Sequence, residues 1–74
     1  MAYDYSKLKG KIKEVCSTQY AFAEKMGISE RTLSLKLSGK VDWKQKDILK
    51  AMDILRISKD EVEQYFFKTK VQNI

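Results

Sequence analysis

A chain of 74 residues that is 43% hydrophobic can build one small core, and the absence of proline with only three glycines favours capped helices over a turn-punctuated sheet sandwich. One cysteine and no histidine exclude an internal disulfide and a cysteine–histidine zinc set, which makes a reducing cytoplasm the expected setting. A net charge of +5 favours a polyanionic partner.

The first expected element lies in YDYSKLKGKIKEVC, where Leu8, Ile12 and Val15 fall at i, i+4 and i+7 as one helical stripe. Asp4 or Ser6 would cap it. Lys7, Lys9, Lys11 and Lys13 form either a solvated face or an auxiliary phosphate contact. Cys16 reads as a small buried filler, since no histidine is present to activate it.

The stretch from Thr18 to Gly39, TQYAFAEKMGISERTLSLKLSG, reads as two short helices joined by one tight turn. Thr18 is a good N-cap for a helix from Gln19, and Gly27 supplies the left-handed residue that ends it. Ser29 then caps a second helix running through Leu37. Phe22 and Met26 share one face of the first helix, Leu33 and Leu37 share one face of the second, and Ile28 lies between them. Ala23 is small enough to let the helices cross closely.

A connector, GKVDWK, follows. Asp42 and Gln45 suit a capping box that starts a helix at Trp43, with Ile48, Met52 and Leu55 as its apolar stripe. Its N-terminus, near Lys40, Lys44 and Lys46, would suit a phosphate, although Asp42 opposes this. Ser58 and Glu61 form a second capping box before a last helix through SKDEVEQYFF, with Ile57 and Val62 as a hydrophobic staple. Val62, Tyr65 and Phe66 can close the core. Phe67, with Val71 and Ile74, then forms an exposed patch for self-association, or residues 68–74 fold back or fray as a tail.

No repeat or linker divides residues 1–74, so one domain is expected. No apolar run is long enough to span a bilayer, and Asp4 with the lysines after it does not fit a secretory signal. An enzyme is not expected, because histidine is absent, the glycines make no phosphate cradle, and no carboxylate set has metal-ligand spacing. No cofactor or metal is expected either. Residues 1–40 carry eight basic and four acidic side chains, whereas residues 41–74 carry seven and six, so the positive excess lies on the half with the paired helices.

A helix pair of this kind docks its second helix in the major groove of double-stranded operator DNA and lays the first across the backbone. On that reading Ser29, Glu30, Arg31, Ser34 and Leu35 face the bases. Arg31 can fork onto guanine, Glu30 can accept from cytosine or orient Arg31, and Leu35 can meet a thymine methyl or a partner protein. Thr18, Gln19, Thr32, Lys36, Ser38, Lys40 and Lys44 are the candidate phosphate contacts.

These residues resemble the helix-turn-helix proteins of the phage repressor and Cro class. Counting from Gln19, the small fifth, glycine ninth and aliphatic fifteenth residues of that pattern are met by Ala23, Gly27 and Leu33. The string from YDYSKLKGKI through ISERTLSLKLSGKVDWKQKDI to EVEQYFF is similar to small Cro-like phage and prophage proteins of Gram-positive bacteria. The resemblance implies an all-α, five-helix lambda-repressor-like fold with its helix-turn-helix at helices 2 and 3. It further implies operator binding as a homodimer and a role in the choice between lysogeny and lytic growth. One departure is Lys36, which occupies a position usually aliphatic in that class. The alternative function is an antirepressor of the same fold, binding a repressor protein through Leu35 and the Tyr65–Phe66–Phe67 region.

Overall fold

Five helices account for nearly all the regular structure in the computed structural model, which describes residues 3–69. They are α1 (Ser6–Cys16), α2 (Gln19–Met26), α3 (Glu30–Leu37), α4 (Gln45–Leu55) and α5 (Val62–Phe66). The expected all-α architecture is therefore present, with the helix-turn-helix at α2 and α3. Val71 and Ile74, expected to extend an apolar patch, lie outside the described residues. Among the described residues no helix is long and apolar enough to cross a membrane.

Local chemistry explains most of the helix boundaries. Asp4 Oδ1 accepts from the Ser6 backbone N–H at 2.9 Å and from the Ser6 hydroxyl at 2.6 Å just ahead of α1, whose N-cap position is taken by Tyr5 and not by either expected residue. Thr18 Oγ1 accepts from Ala21 N at 3.0 Å to open α2. Gly27, at φ 75°, closes it in the left-handed region that glycine enters without steric cost. Ser29 Oγ accepts from Thr32 N at 3.1 Å to open α3. Arg56 ends α4 at φ 57°, a left-handed cap made without glycine.

α1 packs on α2, α4 and α5, while α2 also meets α3 and α4. Phe22, Phe66, Leu8, Ile12, Leu33 and Leu55 are fully buried at the centre. Truncating either phenylalanine to alanine is expected to cost about 3–5 kcal/mol, a large share of what a domain this small can hold. Ala23 is buried where the helices meet, as its size requires.

Three elements differ from what the sequence predicts. The α1 stripe is Leu8, Ile12 and Cys16, and Val15 is 40% exposed. Spacings of i+7 and i+8 both return to one helical face, and packing selected the second. α4 begins at Gln45, and Asp47 replaces Asp42 in the capping role, its carboxylate accepting from Lys44 N at 3.1 Å. α5 is shorter than expected because residues 58–61 fold as a turn. Glu61 N donates to Ser58 O at 3.0 Å while the Glu61 carboxylate accepts from Ser58 N and Oγ. Those bonds hold the Glu61 carboxyl below the usual carboxylate range, the Ser58 backbone N–H contributing most.

The two ends of the described chain meet. Tyr3 and Thr69 form an isolated antiparallel bridge, and Asp4 N donates to Lys68 O at 2.6 Å. This pairing places Tyr3 edge-on to Phe67, with ring centroids 6.2 Å apart.

Candidate interaction surface

The outer side of α3 presents Glu30, Arg31 and Ser34 to solvent, and none of the three makes a hydrogen bond or ion pair through its side chain among the described residues. Ser29 and Thr32 are partly spent on each other, the Ser29 hydroxyl donating to Thr32 Oγ1 at 2.9 Å. Ser38 Oγ donates to Leu35 O at 3.0 Å. Leu35, expected on the outer face, is half-buried. Its carbonyl also accepts from Lys40 N and Val41 N, which folds the 38–41 turn back onto the end of α3.

Lys36 answers the departure noted in the sequence and corrects its assignment as a phosphate contact. Its side chain is 7% exposed, with Nζ 2.9 Å from Asp42 O and 3.1 Å from Asp47 Oδ2. The ammonium also lies 5.7 Å from the Trp43 ring centroid, a cation–π contact. The aliphatic stem therefore occupies the slot an aliphatic residue would fill, while the head reaches the connector and the first turn of α4. Burial pushes the Asp47 carboxyl up, but the hydrogen bonds from Lys36 and the Lys44 N–H, with the Lys36 charge, outweigh it and hold the group below its usual range. At the start of α4, where a phosphate contact is expected, the Asp47 carboxylate accepts from the Lys44 N–H and sets a negative group in the first turn.

Of the remaining candidates, Lys40 and Lys44 are exposed, Gln19 is half-buried, and Thr18 uses its hydroxyl oxygen as a cap. Among the described residues no side-chain hydrogen bond or ion pair joins these four to one another.

A second surface was only partly legible in the sequence. Trp43, Gln45, Ile48, Leu49, Met52, Lys59, Val62 and Phe67 line a groove of about 440 Å³ between α4 and the α5 segment. Leu49 is 56% exposed and Phe67 46% exposed, so two large apolar side chains stand in water at its walls. Trp43 is braced from behind by Phe66 at 5.1 Å and Tyr5 at 6.3 Å between ring centroids. Burial, then Tyr3 and Asp42, pushes the Tyr5 phenol up. Phe67 was expected to be exposed. Leu49 lies beside the Ile48, Met52 and Leu55 stripe of α4 in the sequence, and nothing local marks Trp43 as part of a shared surface.

Fold and surface together define a small all-α domain that presents an apolar groove between α4 and α5. The chain belongs to the family described as Protein of unknown function (DUF739), whose model matches residues 1–69. It is similar to the modulator of repression (MOR) of the temperate bacteriophage TP901-1 from Lactococcus lactis, known from a solution structure. The two are 56% identical, the match covers 97% of each chain, and the TM-score is 0.80. No curated protein matches the chain.

That likeness overturns the expectation that residues 29–38 read an operator in the manner of Cro. A relative matched from end to end at this identity is a modulator of repression, which backs the antirepressor alternative instead.

Proposed function

We propose that this protein modulates repression in a temperate phage of a Gram-positive host by binding a repressor protein in the host cytoplasm. Its frame is the helix-turn-helix of the phage repressor and Cro class, used here for protein contact. The role is one of binding, without catalysis or a cofactor.

The observation that carries this reading is the 56% identity to the TP901-1 modulator of repression across 97% of both chains. Two features of the chain support it. Lys36 turns its charge inward to Asp47, which removes a cation from the face that would meet phosphates. The exposed apolar side chains Leu49 and Phe67 flank a groove, the kind of surface that binds protein by burial of apolar area.

The test is to mix the purified protein with the repressor of the phage that carries it. Co-elution as a complex in gel filtration, together with a changed affinity of that repressor for its operator, is the expected result. Separate elution at tens of micromolar, with operator affinity unchanged, would overturn the proposal.

A further inference from the structure

We infer that the groove between α4 and α5 is the docking site, and that it takes an amphipathic helix of the repressor bearing apolar anchors and a carboxylate that reaches Lys59. The inference rests on the repressor-binding reading above and adds the surface and the chemistry of the bound segment.

The groove is lined by Trp43, Ile48, Leu49, Met52, Val62 and Phe67, with Gln45 and Lys59 as its polar members. Lys59 is the one charged lining residue and makes no ion pair among the described residues. An occupant must therefore be apolar on the side it buries and negative where it passes Lys59. The net charge of +5 acts in the same direction by drawing an acidic segment toward the surface.

The α4 wall runs from Gln45 to Met52, which at 1.5 Å per residue is roughly 10 Å, or about two helical turns. That length matches anchors at i, i+3 or i+4, and i+7 on a bound helix. The backbone of α4 is bonded internally, so an extended strand would find no free edge along this wall. Side-chain burial has to supply the affinity.

Trp43 packs against Phe66 and Tyr5 and faces the Lys36 ammonium, so one large side chain of the groove lining is held in place before anything binds. Ordering in advance lowers the entropic cost of association. A second copy of this chain meeting the groove through the same face is the poorer occupant, since no carboxylate lines that face to pair with Lys59.

The test is a titration of the isotope-labelled full chain with the unlabelled repressor of the same phage, read by amide and indole resonances. Shifts centred on the Trp43 indole N–H, Leu49, Met52 and Phe67 are expected. Leu49→Glu and Lys59→Glu should each weaken the complex about tenfold or more, while Arg31→Ala leaves it within about twofold. Leu49 and Lys59 are exposed, so both variants should keep the wild-type melting temperature. A complex that forms with unchanged affinity in both groove variants, with shifts confined to Glu30, Arg31 and Leu35, overturns the groove and leaves the repressor-binding reading intact. Groove shifts that follow the protein's own concentration without repressor identify a second copy as the occupant and also overturn it. Absence of any complex with the wild-type chain overturns both readings.

Discussion

Lys36 Nζ lies 3.1 Å from Asp47 Oδ2, and this contact ties α3 to the first turn of α4. The same carboxylate accepts from Lys44 N, and the same ammonium bonds Asp42 O and faces Trp43. A position that an aliphatic residue could fill thus holds the connector between the helix-turn-helix and the groove.

Breaking the pair from one side should destabilise the fold more than replacing both members. Lys36→Met is expected to cost about 2 kcal/mol, because it strips a charge-assisted hydrogen bond from a partly buried carboxylate. In a chain this size that lowers the melting temperature by roughly 8–16 °C. Asp47→Leu combined with Lys36→Met should cost less than the sum of the single changes, by about 1 kcal/mol or more in a double-mutant cycle. Additive single costs would mean that the contact contributes nothing to stability.

Acid should expose the same pair. The folded-state pKa of Asp47 is lowered, so its contribution is complete above the unfolded carboxylate value of about 4 and is lost as pH falls through the folded value. Glu61 is lowered as well and acts with the same sign. Thermal melts from pH 6 to pH 2 should be nearly flat with respect to these groups above about pH 4 and fall below it. Asp47→Asn should flatten that fall while lowering stability at pH 6. An unchanged acid limb in the variant would remove Asp47 from the account.

Gly27→Ala provides a purely conformational test of the turn between α2 and α3. A Cβ at this position meets only Lys50 Nζ at 3.7 Å, so no collision is created, and the cost is that of φ 75° for an L side chain. About 1–2 kcal/mol of destabilisation is expected in urea unfolding, with the repressor affinity of the folded fraction unchanged.

Substitutions on α1 distinguish the observed stripe from the one the periodicity suggested. Val15→Lys should stay within about 0.5 kcal/mol of wild type, since Val15 already faces water. Cys16→Lys should unfold most of the chain at room temperature, because it buries an unpaired charge. Equal effects at the two positions would contradict the observed register.

What the sequence reveals is mostly what is local. Thr18, Gly27 and Ser29 act within three residues of themselves, and their types mark the helix-turn-helix boundaries directly. The end of α4 is silent by comparison, because Arg56 adopts a left-handed cap that its residue type does not advertise. Lys36 and Asp47 are eleven positions apart, so their pairing depends on how α4 packs and not on any motif. The groove is harder still. Its walls come from Trp43, Leu49 and Phe67, side chains that read individually as a helix start, a stripe flank and a stray aromatic. A base-reading helix and a protein-binding one also share the same caps and core spacing, so the helix-turn-helix pattern identified a frame without identifying its partner.

The most direct measurement is a calorimetric titration of this protein into the repressor of its own phage, with a matching titration into that repressor's operator duplex at 150 mM salt, about the physiological ionic strength. Saturable, stoichiometric heat with the repressor and none specific to the operator sequence is the expected result. Saturable, sequence-specific heat with the operator that is lost in Arg31→Ala, alongside none with the repressor, would contradict the account.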